Sequence, residues 1–405
     1  MAFEFSQPIL NRATPPHILT LVLLAGVSAL NMSIFLPSLP TMTEAFQTDY
    51  AVMQLSISLY LAFTAALQVI IGPLSDRYGR RPVVLASLWI FALASLGCYF
   101  APTIEVFLSF RMLGAAVVVG MVMSRAIVRD VVPMAQAASA IGYVTMGMSL
   151  VPMAAPTLGG FIDELFGWRA IFLFTFAFGA GLALLCWADQ GETNTAKSAS
   201  FTAQFADYPE LFSSPRFWGY ALAAAFGSGT FFAFLGGSPY VASVVYDLPP
   251  TITRYLFGVP AVGYFLGSML SGRYSVRLGV NRMILIGAIL ITFGMAASLL
   301  VTSMGYGSAF TFFGFCTFVG LGNGLLLPNA NAGLLSVRPH LAGSASGVGG
   351  AVMIGGGAAL AALAGALLER GSGPFPLQWV MLISAIASLV CIHLVIRRER
   401  ALNAT

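Results

Sequence analysis

The sequence predicts an all-α integral membrane protein whose twelve transmembrane helices form two pseudo-symmetric bundles of six. Three observations carry that expectation. The 405 residues are 58% hydrophobic and only 8% charged, a balance far too apolar for a soluble domain. Apolar segments of about 20 residues, the length that crosses a hydrocarbon core of about 30 Å as a helix, recur twelve times. The basic residues then alternate sides. With the N-terminus inside, 15 of the 19 Lys and Arg fall in inner loops and tails. Only Arg169, Arg254 and Arg370 fall outside, and Arg111 alone lies within a span. This is the asymmetry that orients multi-pass proteins, so both termini are expected in the cytoplasm. The net charge of +4 is thus a topology signal, and no nucleic-acid partner is expected.

The spans are placed near 17–39, 50–72, 82–101, 104–126, 138–161 and 168–187, then 217–240, 254–272, 281–302, 307–329, 341–366 and 376–396. The first has polar residues ahead of it, is too long for a signal-peptide core and lacks a cleavage-like end, so it is expected to persist. The organisation follows as a first bundle over 1–187, a cytoplasmic linker over 188–216 and a second bundle over 217–405. Within the polar linker, Phe201, Phe205, Tyr208 and Phe212 are spaced by four, three and four. That spacing suits an amphipathic helix on the inner surface, and a solvated linker fits it as well. Cys98, Cys186, Cys316 and Cys391 fall in spans and suggest no disulfide framework. The eleventh span is extreme, with Gly and Ala at 17 of 25 positions from Ala342 to Ala366, which suits close packing or sliding.

Between the second and third spans lies Gly72-Pro-Leu-Ser-Asp76-Arg77-Tyr-Gly79-Arg80-Arg81. A shift of 200 residues sets Gly72, Ser75, Arg77 and Gly79 over Gly272, Ser275, Arg277 and Gly279, at the corresponding loop of the second half. Parallel repeats predict such a match. The second copy has lost its acid, with Val276 at the place of Asp76.

The pattern G-x-x-x-D-R-x-G-R-R resembles the signature loop of the major facilitator superfamily. Pro152-Met-Ala-Ala-Pro156-Thr-Leu-Gly159-Gly160 looks like the fifth-span antiporter motif of its twelve-span drug:proton exporters. Arg111-Met-Leu-Gly114 with Ser124-Arg125-Ala-Ile-Val-Arg129-Asp130 is similar to the fourth span of the Bcr/CflA group. The resemblance implies the fold of that superfamily and export by alternating access across a bacterial inner membrane. It implies gating roles for Gly72, Asp76, Arg77, Gly79, Arg80, Arg81, Pro152, Pro156 and Gly159, with Asp76 holding an inner gate against the start of the eleventh span. It also links Arg111 to proton coupling.

Arg111 stands out on physics as well. A guanidinium this far into a span costs at least about 2.5–3.5 kcal/mol and usually faces the bundle interior, although one near the outer boundary can snorkel to headgroups. None of the 15 acids can be placed at mid-span as its partner. Relatives of this type carry an Asp before Tyr-Leu-Pro in the first span. Here the stretch reads Asn31-Met-Ser33-Ile-Phe35-Leu-Pro37, so Ser33 occupies the acid position and the usual proton carrier is missing. Coupling is then expected through Asp130, flanked by Arg125 and Arg129, or through another span-end acid, or is absent.

A binding cavity is expected from Asn31, Tyr60, Arg111, Phe231, Tyr264 and Asn323, aromatic with a few polar groups, which suits a moderately lipophilic solute. There is no phosphate-binding loop of the form G-x-x-x-x-G-K-[ST], and Lys197 is the only lysine, which argues against an ATP-driven pump. His17, His340 and His393 have no metal-like spacing, and acid–base chemistry has no mid-span carboxylates to use. Neither a catalytic residue, a metal nor a cofactor is expected. The expected function is an exporter of small drug-like molecules, proton-coupled and monomeric. An exporter of a specialised metabolite or siderophore, or an uncoupled facilitator, is the alternative that the lost acid favours.

Overall fold

The computed structural model describes residues 9–12, 15–148, 151–194, 209–248, 250–338, 341–368 and 373–403. The expected amphipathic stretch of the linker at 201–208 lies outside them. Ten helices among the described residues are long and apolar enough to cross a membrane. They are Ile18–Ser38, Leu55–Tyr78, Arg80–Phe100, Ile104–Val131, Arg169–Asp189, Pro215–Ser238, Val280–Tyr306, Ala309–Val337, Ser344–Leu367 and Phe375–Ala401. The eighth expected span forms the helix Pro250–Leu278, whose Gly, Thr and Ser content makes it less apolar. The fifth is described in two pieces, Met134–Met148 and Val151–Phe166. Apolar sequence of this length has only one way to satisfy its backbone in lipid without partner strands, and that is the helix.

The 200-residue repeat holds in detail. Tyr50–Tyr78 and Pro250–Leu278 are both 29-residue helices. Each stops at a glycine of positive φ, Gly79 (φ 103°, ψ 158°) and Gly279 (φ 81°, ψ 154°), from which the next helix starts at once. The closing bonds match too, with Gly79 N–H to Ser75 O at 3.0 Å and Gly279 N–H to Ser275 O at 2.9 Å. Positive φ is nearly strain-free only for glycine, which explains why these residues recur although Asp76, Arg80 and Arg81 are replaced by Val276, Val280 and Asn281.

The chain separates into two compact units. The first comprises Met1–Val131, Gly147–Ala206 and His340–Ala351, the second Val132–Met146, Asp207–Pro339 and Val352–Thr405. The first turns of the fifth span therefore group with the second unit, and those of the eleventh with the first. At one end of the first unit Phe35, Phe107, Trp168 and Phe172 pack as a buried aromatic cluster. Edge-to-face pairs hold it together, including Phe107–Phe172 at 5.3 Å and Trp168–Phe172 at 6.1 Å between ring centroids.

Gly159 lets the fifth span cross the first at backbone contact, because a Cβ there would overlap the carbonyl of Ile34. Pro156 lies inside the same helix. Glycine at such crossings allows the close approach that membrane helices use for association. Gly159→Leu should therefore force the two helices apart, at a cost of about 1–3 kcal/mol or more. A fall in the yield of monodisperse protein and in its thermal midpoint would register it, and an unchanged midpoint would contradict the crossing.

Candidate functional site

Arg111 sits in the last turn of the helix Ile104–Leu113. The fourth span then tightens into a 3-10 segment, Gly114–Val118, before resuming as Val119–Val131. At 1.5 Å per residue this sets Arg111 about 10 Å in from the Ile104 end. Its side chain does not snorkel, being only 3% exposed. One Nη donates to Asn31 Oδ1 at 2.7 Å and the other to the Asn31 carbonyl at 2.8 Å. Asn31 Nδ2 in turn donates to Tyr60 Oη at 3.1 Å. The rings of Phe35 and Tyr60 each lie 4.3 Å from the guanidinium carbon, within cation–π range. Three expected site residues, Asn31, Tyr60 and Arg111, thus form one buried cluster. Phe35 belongs to it as well. It could have been sought as the aromatic one helical turn after Asn31.

The other expected lining residues belong to the second unit. Asn323 is buried and its Nδ2 lies 3.4 Å from Thr230 Oγ1, beside Phe231 in the chain. Phe231 is half-buried and stacks on Phe234 at 6.2 Å. Tyr264 is half-buried, with its backbone against Gly320 and Gly324 of the tenth span. The antiporter-motif residues Pro152, Pro156 and Gly159 lie in Val151–Phe166.

A second cluster forms around Gly79. Arg80, its side chain 4% exposed, pairs with Asp76 and, through Nε at 3.0 Å, with Asp130, whose side chain is 16% exposed. Arg80 also donates to Ser75 Oγ at 2.6 Å. Asp76 Oδ2 accepts from both the backbone N–H and the hydroxyl of Ser344 at 3.2 Å, at the start of the eleventh span. The ion pair of Asp130 is therefore with Arg80, fifty residues earlier, while its neighbour Arg125 donates through Nε to Met121 O. Gly72 is buried, and Arg77 is half-buried beside the Tyr78 ring, 5.3 Å away.

Sequence reasoning missed the linker's part in this cluster. Glu192 accepts from the backbone N–H groups of Arg80 at 2.9 Å and Arg81 at 3.3 Å. Thr193 donates to Asp130 at 3.2 Å, and Asn194 to the Asp76 carbonyl at 3.0 Å. A Cβ on Gly79 would collide with the Glu192 carboxylate. The available signal was a helix that starts at Gly79 with no Ser, Thr, Asp or Asn to cap its free N–H groups. The second unit shows a related clasp, in which Glu399 accepts from Arg216 at 2.6 Å and from Asn281, with Tyr220 Oη 3.0 Å away.

A bilayer-spanning fold of two repeated halves, with a buried cation in the fourth span and an ion-pair cluster at the Gly79 turn, fits one family model. The Major Facilitator Superfamily model matches residues 21–361 and 246–404. The chain belongs to the Major Facilitator Superfamily. It is 30% identical over 382 residues to Multidrug resistance protein D of Escherichia coli (strain K12), covering 92% of this chain and 94% of that one. It is 27% identical over 394 residues to the Bicyclomycin resistance protein homolog of Haemophilus influenzae (strain ATCC 51907 / DSM 11121 / KW20 / Rd), covering 93% and 96%. The solved structure of the proton:xylose symporter XylE has a TM-score of 0.75 over 94% of this chain and 95% of that one. At 12% identity it shows the common fold. This superfamily member is a multi-pass membrane transporter, not an enzyme, and it is similar to the Bcr/CflA type.

Proposed function

We propose that the protein exports small, moderately lipophilic, drug-like molecules across the bacterial inner membrane by alternating access. The observation that carries this is the Asn31–Tyr60–Arg111 cluster, a charged and aromatic group buried among otherwise apolar spans, in a chain similar over most of its length to Multidrug resistance protein D. Phe231, Tyr264 and Asn323 are, in this reading, further substrate contacts carried by the second unit. The distribution of Lys and Arg supports a cytoplasmic Gly79 turn and cytoplasmic termini. Asp76 with Ser344 is then the inner gate, and a monomer suffices.

Coupling to protons runs in this proposal through Asp130. Its carboxylate shares Arg80 with Asp76, so protonating it would weaken one arm of the gate cluster. Asp130→Asn should remove the dependence of export on a pH gradient in proteoliposomes while leaving downhill exchange within a few-fold of wild type. Ser33, whose hydroxyl bonds its own helix at Ala29 O, favours the second reading of an uncoupled facilitator or a metabolite or siderophore exporter. Wild-type flux indifferent to the gradient, with no proton release on adding substrate, would decide for the facilitator.

A further inference from the structure

Resting on the exporter reading, we infer that the transported molecule is an organic anion whose charged group pairs with Arg111. A guanidinium stays protonated throughout the accessible pH range, so the cluster carries a full positive charge. Among the described residues every partner of that charge is neutral: an amide oxygen, a backbone carbonyl and two aromatic faces. Among the described residues no ion pair involves Arg111. Its Nε–H, buried with the rest of the side chain, has no acceptor among the described residues.

Nearby acids do not supply the missing charge. Glu105 is exposed and lies six residues toward the end of the same helix, about 9 Å along its axis. Ser33 turns its hydroxyl back onto its own helix. A buried charge without a counter-charge is unfavourable, and the rings only lessen that penalty. If Arg111 served packing alone, a neutral donor such as Gln could bond Asn31 without the charge.

The geometry also suits an anion in particular. Phe35 and Tyr60 flank the guanidinium, and Asn31 takes one N–H from each Nη. Nε–H and the remaining Nη–H groups are the donors that a carboxylate, sulfonate or phosphate would take once the cluster opens to it, the planar fork that guanidinium recognition uses. A cationic solute would meet like charge at the same place.

The test compares three naphthalene probes on the purified full-length protein: naphthalene-2-carboxylate, its near-isosteric amide naphthalene-2-carboxamide, and the cation 2-naphthyltrimethylammonium. Binding is measured in detergent and flux in proteoliposomes. The carboxylate should bind at least tenfold more tightly than the amide, and the ammonium should not compete. Asn31→Asp sets a carboxylate at the 2.7 Å contact to Arg111 and neutralises it in place. That variant should lose the carboxylate preference while its thermal midpoint stays at or above wild type. Arg111→Gln should lose the preference too, and serves if Asn31→Asp does not fold.

The inference is overturned if the carboxylate fails to bind, if the amide or ammonium binds as well, or if Asn31→Asp keeps the carboxylate preference. Flux of amide or ammonium without that preference would overturn it and leave export standing. Selective carboxylate binding without flux of any probe would uphold the anion site and remove the export reading.

Discussion

Arg111→Ala is expected to abolish transport, with a fall of roughly 100-fold or more in proteoliposome flux at normal protein yield. Truncation removes two charge-assisted hydrogen bonds, each of about 1.5–3 kcal/mol. It also leaves Asn31 Oδ1 and the Asn31 carbonyl without the donors that now satisfy them. Arg111→Lys should restore only part of the activity, because an ammonium cannot serve both Asn31 oxygens in the same plane or lie flat between Phe35 and Tyr60. Normal flux in the alanine variant would mean that the cluster is a packing feature.

This cluster was largely legible in the sequence, and the reason is the solvent. In a chain with 8% charged residues, a polar group inside a span is costly enough to need a purpose, so Asn31, Tyr60 and Arg111 each announced themselves. Phe35 did not, since one more aromatic among many carries no signal until its ring is seen over the cation. The twelve spans and the 200-residue repeat were legible because hydropathy and glycine are strong local constraints. Glu192 was not, and of Ser344 only its region, the start of the eleventh span, was expected, through the resemblance. Their contacts join Arg80 and Asp76 over 112 and 268 residues, and nothing local marks which loop acid or hydroxyl will arrive there. The partner of Asp130 was hidden for the same reason: charge in the sequence pointed to its neighbours Arg125 and Arg129, while the fold brought Arg80.

Asp76→Asn should slow turnover about tenfold with protein yield intact. The substitution keeps an acceptor for Ser344 but removes the charge that binds Arg80 and strengthens both 3.2 Å contacts, a loss of about 1.5 kcal/mol at this site. Arg80 keeps Asp130, so the helix start survives and the effect falls on closure against the eleventh span. Disulfide trapping of thiols at the ends of the second and eleventh spans should become correspondingly less efficient. Wild-type turnover and trapping in Asp76→Asn would remove Asp76 from the gate.

The clasp at Gly79 also bears on how the chain is made. Glu192 is synthesised 112 residues after Arg80, the helix start that it caps. Glu399, which accepts from the side-chain amide of Asn281, likewise follows it by 118 residues. During translation the third span therefore enters the bilayer with its first N–H groups unclaimed. The first half becomes self-sufficient only when the segment after its sixth span has emerged from the ribosome. The linker is thus the last folding component of the half behind it, before it is the tether to the half ahead.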